Sequence, residues 1–122
     1  MEKNEMYHED TEMIGEPIRI AMDIILHAGN ARSLIYQASD QSKELHFDKA
    51  RELMKQAEEE LNCAHIAQTG YIQKEASGET IEYSILFTHA QDTLMTIVSE
   101  HNMMNQMLDM IQTLLAVIEG KK

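Results

Sequence analysis

His89, Gln91 and Asp92 place an imidazole, an amide and a carboxylate within four residues, in the run Thr88-His89-Ala90-Gln91-Asp92-Thr93-Leu94-Met95. On a helix His89 and Asp92 stand at i and i+3 and share one face. A histidine beside a carboxylate has the chemistry of a nucleophile, a general base or a metal ligand. The same face continues at helical spacing through Thr96, Ser99, Met103, Met107, Met110, Leu114 and Val117, so this polar cluster heads an apolar stripe. Gln91 points elsewhere on an ideal helix, which leaves it a minor positioning role.

The elements that carry this cluster follow from composition. The 122 residues make one domain, long enough to bury a single core without disulfides or structural metals. One Pro, no Trp, 5% aromatics and ten Met, with Ala, Glu, Gln and Leu filling the long stretches, indicate an all-α fold. Ten basic against 21 acidic residues give a net charge of −11, which excludes phosphate-backbone and anionic-membrane partners by repulsion. The lone Cys63 has no internal partner, in keeping with a reducing cytoplasm. No signal peptide and no run of eighteen apolar residues is evident.

Residues 1–15 form a polar, acidic tail that is expected to be disordered. Residues 16–122 then form the helical domain, with helices over about 17–42, 47–76 and 82–119. Pro17 suits a first helical turn, and Ser77-Gly78 suits the end of the second helix. The first helix carries two lines of packing positions, Ile18, Met22, Ile25, Gly29, Arg32, Ile35 and Ile20, Ile24, Ala28, Ala31, Ala38, and so should be covered on more than one side. The second has a narrow seam, Phe47, Ala50, Met54, Ala57, Leu61, Ala64 and Tyr71. The third repeats Phe87, Leu94, His101, Leu108, Leu115 every seven residues, interleaved with Ala90, Ile97, Met104, Ile111 and Ile118. With the methionine stripe beside this seam, the third helix is apolar on two faces, and one chain covers only one. Self-association is the expected answer.

Other candidates have plain readings. His27 is a packing or surface residue, and His101, at a core heptad position, is a satisfied core histidine or a register device. Cys63 and His65 point about 200° apart on a helix and cannot share a metal. Runs such as Glu58-Glu59-Glu60 are solvated faces, and the methionines are core filler. The residues alone leave three readings of His89 open. It is a nucleophile, or part of a buried polar His89-Asp92 register device in a non-catalytic helical interaction module, or the histidine of a two-component phosphotransfer domain.

The fragments His27-Ala28-Gly29-Asn30-Ala31-Arg32-Ser33, Phe47-Asp48-Lys49-Ala50, Ala64-His65-Ile66-Ala67-Gln68-Thr69 and Ser84 to Thr96, in order over roughly residues 16 to 119, resemble the enzyme IIA component of the lactose/cellobiose class of bacterial sugar phosphotransferase systems. The resemblance implies an antiparallel, spectrin-repeat-like up-down-up protomer that assembles as a trimeric nine-helix bundle. It also implies a cytoplasmic phosphoryl carrier. The histidine matching His89 accepts a phosphoryl group from the phosphocarrier HPr and passes it to a cysteine of enzyme IIB, while the membrane transporter IIC moves a β-linked disaccharide. Ala90 and Asn30 lean toward the cellobiose/chitobiose branch over lactose. The residue matching Asp92 gathers at the trimer axis, where family members hold a divalent cation, expected to be magnesium at one per trimer. Two departures stand out. Thr93 replaces the family's second histidine and keeps only a hydroxyl to offer to phosphoryl oxygens, and Leu45-His46 replaces a glycine-acidic pair, an exchange expected to affect only capping.

Overall fold

A computed structural model describes residues 15–81 and 83–120. The expected acidic tail therefore lies almost wholly outside the described residues. Three helices account for the fold: α1 (Glu16–Lys43), α2 (Phe47–Ala76) and α3 (Ile85–Ile118). Cross-links fix their directions. Glu16 pairs with Lys74 and His27 with Glu60, so α1 and α2 run antiparallel. Arg51 meets Asp109 and the Met54 carbonyl meets His101, so α2 and α3 do too, and Arg32 meets Glu100 between the parallel α1 and α3. This is the expected up-down-up bundle.

The helices begin and end where local chemistry dictates. Pro17 sits in the first turn of α1, where its missing N–H costs no bond. Gly78 leaves α2 with φ +96, in the left-handed region that glycine enters freely. The expected start of α3, near residue 82, lies outside the described residues, and among the described ones the helix begins at Ile85. Ser84 is extended (φ −136, ψ 121), and its hydroxyl accepts the Phe87 N–H, an N-cap that starts the helix at Ile85.

The core joins the alanine line of α1 (Ala21, Ile24, Ala28, Ala31, Ile35, Ala38) to the α2 seam and to Phe87, Ala90, Leu94, Ile97, Met104 and Leu108 of α3. Small residues at the crossings let the axes approach closely, and α1 packs along both partners while α2 and α3 meet more sparsely. Tyr71 and Phe87 lock the top of the α2–α3 pair with ring centroids 4.6 Å apart. His101 is the satisfied core histidine: buried, with Nε2 3.0 Å from the Met54 carbonyl oxygen. A carbonyl only accepts, so Nε2 carries the proton. His27 bridges helices at the surface, 2.6 Å from Glu60.

Two expected packing lines are left open in the single chain. The first line of α1 is open in the single chain, with Ile18 and Met22 exposed and only Ile35 buried, because α2 and α3 both pack on the other side. The α3 seam also fails at its end. Arg51, early in α2, already reaches Asp109 and Gln112, so the last turns of α3 project past the other helices and Ile118 is exposed.

The Leu45-His46 exchange reaches further than capping. His46 stands at the N-cap of α2 with no side-chain cap bond, and Leu45 adopts φ +65, a left-handed conformation that is costly for a branched side chain. Its side chain is 58% exposed, so removing it forfeits little burial. Leu45→Gly should therefore stabilise the fold by about 1 kcal/mol, raising Tm by roughly 4 °C in a thermal melt. An unchanged or lower Tm would show that the turn tolerates leucine without strain.

Candidate phosphoryl-transfer site

The period of α3 decides which groups face out. With Ala90, Leu94 and Ile97 turned into the core, His89, Asp92 and Thr96 are left on the solvent side. His89, Asp92, Thr93 and Thr96 of α3 join Arg32 of α1 around one open pocket of about 220 Å³. Asp92 and Thr96 also border a wider hollow of about 540 Å³ with Met95, Ser99 and Glu100. Gln91 is half-buried and lines neither. Both His89 and Asp92 are exposed, so within one protomer they are not a buried register device.

The threonines are tied to the helix. Thr93 Oγ1 donates to the His89 carbonyl at 2.9 Å, and Thr96 Oγ1 to the Asp92 carbonyl at 2.8 Å. Such back-bonding ties the Thr93 hydroxyl proton to the backbone. Only by rotating away from that carbonyl does it become a donor to a bound anion.

Arg32 is the pocket residue whose place the pattern of the chain conceals. It sits in the apolar line of α1, yet its guanidinium crosses to α3 and holds Glu100 through two bonds, Nε to Oε2 at 3.0 Å and Nη2 to Oε1 at 2.6 Å. The hydrogen bond from Arg32 holds the Glu100 carboxyl below its ordinary 4.5, and the same bond raises Arg32. One signal was available. Glu100 follows His89 by eleven residues, about three turns, so both lie on nearly one face of α3, and Arg32 is the cation that α1 offers that face.

Among the described residues no three His, Cys, Asp or Glu side chains cluster so as to hold a metal. Asp92 is the single carboxylate lining the His89 pocket, so one protomer alone does not fit a divalent ion there.

The linkage of Glu100 has a definite sign. Its folded value is depressed, so the stability it contributes is present above the ordinary carboxylate value and is lost as pH falls through the depressed one. Both side chains are partly exposed, at 40% and 33%, so solvent screens the pair to on the order of 0.5 kcal/mol. Glu100→Gln should lower Tm slightly at pH 7 and lower it by less at pH 3. An equal loss at both values would mean that the carboxylate charge is irrelevant.

Comparison with known proteins gives consistent matches. The family model for the lactose/cellobiose-specific IIA subunit of the phosphotransferase system matches residues 19–112. The oligo-beta-mannoside-specific EIIA component of Bacillus subtilis is 41% identical over 95 residues, covering 78% of this chain and 86% of that protein. The crystal structure of the cellobiose-specific enzyme IIA from Bacillus anthracis superposes with a TM-score of 0.79 at 37% identity, over 87% of this chain and 97% of that one. A solution structure of the IIA(chitobiose)–HPr complex of the Escherichia coli phosphotransferase system matches with a TM-score of 0.69 at 31% identity, over 84% and 99%.

Proposed function

The chain belongs to the lactose/cellobiose-specific IIA family of the phosphotransferase system, and from that premise we propose that it is a cytoplasmic phosphoryl carrier with His89 as the acceptor. The observation that carries the reading is the exposed imidazole of His89 at the mouth of a pocket also lined by Arg32 and Thr93, on a rigid helix. An imidazole near neutral pH is a competent nucleophile, and its phosphoramidate stays reactive enough for onward transfer.

The donor is HPr. A ring nitrogen of His89 offers its lone pair to phosphorus as the bond between phosphorus and its carrier atom on phospho-HPr breaks, and that bonding pair returns to HPr. In the second step a thiolate of enzyme IIB attacks the same phosphorus, an S–P bond forms, and the N–P pair returns to His89. The transition state is loose, so this protein contributes position and charge more than covalent assistance. An exposed site serves both steps, since each partner must bring its own reacting atom to it. A structure of a relative bound to HPr supports this choice of donor.

The cargo is a β-linked disaccharide moved by the transporter IIC, with cellobiose or chitobiose favoured over lactose on Ala90 and Asn30. No described helix is long and apolar enough to cross a membrane. The chain takes part in transport through its partners.

Assembly completes the reading. Met95, Met103, Met107, Met110, Leu114 and Val117 form an exposed apolar stripe on α3, and Ile18, Met22 and Leu26 are exposed on α1. This is more apolar surface than a lone protomer keeps in water, and a homotrimer covers it. Three Asp92 carboxylates brought together by that assembly supply the oxygen donors that one protomer lacks, and would hold a magnesium ion. That ion offsets the mutual repulsion of the carboxylates.

Two outcomes test these proposals. Incubated with enzyme I, HPr and phosphoenolpyruvate, the protein should take up one acid-labile, base-stable phosphoryl group per chain, and His89→Ala should abolish the label while His27→Ala keeps it. Full labelling of His89→Ala would refute the assignment. In sedimentation the wild type should run as a trimer whose melting point falls when magnesium is chelated at neutral pH. Asp92→Leu should remain trimeric and be indifferent to chelator. A monomeric wild type, or equal chelator sensitivity in both, would contradict the axial arrangement.

A further inference from the structure

Arg32 brings to the His89 pocket a cation that the carrier reading does not yet use. A guanidinium has five N–H donors, and two of them, on Nε and Nη2, are taken by Glu100. Those two lie along one edge of the planar group. The Nη1 amino group and the second hydrogen of Nη2 form the other edge, which matches two oxygens of a phosphoryl group. Arg32 and His89 line the same pocket, and among the residues lining it Arg32 is the one permanent cation. Asp92, on the same pocket, repels a phosphoryl dianion, so an accepting site needs a compensating positive charge.

We propose that Arg32 is the residue that receives the phosphoryl oxygens on His89, and that Glu100 is a positioning residue that holds the guanidinium in place by its opposite edge. The inference rests on His89 being the phosphoryl acceptor. Glu100 does two things. It removes the rotamer freedom of a long side chain before the anion arrives, so less is lost on binding. It also balances the charge of Arg32, which keeps the empty pocket from trapping inorganic phosphate and leaves the phosphoryl group free to move on. Glu100 stays ionised throughout the neutral range, because Arg32 holds its carboxyl below the ordinary value.

The test compares wild type, Arg32→Gln, Arg32→Lys and Glu100→Gln in phosphoryl transfer from phospho-HPr, with 31P NMR of each phosphorylated protein. Arg32→Gln should still be labelled on His89, but its transfer rate should fall on the order of tenfold to a hundredfold and its phosphorus resonance should move. Arg32→Lys should recover part of the rate through its charge and less of the resonance position, lacking the two-pronged edge. Glu100→Gln should lose less rate than Arg32→Gln and should bind inorganic phosphate more tightly than wild type. If the pair were only a helix-to-helix tie, Arg32→Gln and Glu100→Gln would lose equal stability and equal rate, with the phosphorus resonance unmoved, and that result would overturn the proposal. Failure of the wild type to accept any phosphoryl group would instead overturn the carrier reading beneath it.

Discussion

The close approach of α1 to its neighbours is the constraint on which the rest of the structure depends. Ala21, Ala28, Ala31 and Ala38 of α1 have no exposed surface, and they meet a second set of alanines, Ala50, Ala57 and Ala64 on α2 and Ala90 on α3. Interaxial spacing is set by the side chains at the crossing, and alanine permits the near end of the range. Arg32 follows directly on one of these contacts. Ala31 beside it has no exposed surface, and the Arg32 side chain reaches Glu100 of α3 with two hydrogen bonds and borders the pocket of His89. A larger residue at 31 would lift α1 and take Arg32 away with it.

The same packing decides the state of α3. Its inward positions are filled by Ala90, Leu94, Ile97, His101, Met104 and Leu108, which fixes the rotation of the helix about its axis and so holds His89 and Asp92 outward. His101 shows how strictly that rotation is held. A buried imidazole is tolerated there because the Met54 carbonyl stands 3.0 Å from Nε2 and accepts its proton. The proposed role of His89 as a nucleophile toward two partner proteins suits this arrangement, with rigid backbone beneath and open solvent above.

Most of this was legible in the chain. The α2 seam from Ala50 to Tyr71 and the α3 seam from Phe87 to Leu108 are buried as their spacing indicates, and α2 ends where Ser77-Gly78 stands. The misses share a physical cause, since periodicity marks apolar faces without saying what covers them. Ile18 and Met22 belong to a line as regular as Ala21 and Ala28, yet only the alanines meet another helix within one chain. Ser84 illustrates how spacing leaves a helix start open, since its hydroxyl serves as the cap and the helical residues follow from Ile85. Leu45 illustrates a different limit, for no residue type announces a left-handed φ when the chain places leucine there. The site was half visible. His89 and Asp92 are local in sequence, whereas Arg32 and Glu100 are 68 residues apart and come together only through tertiary packing.

The central claim is that one imidazole, that of His89, carries the phosphoryl group. The direct measurement is 15N–31P correlation on ring-labelled, phosphorylated wild-type protein, which detects the N–P bond itself and assigns it to a residue. The account predicts a single phosphorus coupled to a ring nitrogen of His89, with the rings of His27, His65 and His101 uncoupled. A phosphorus coupled to any other histidine, or to none, would contradict it.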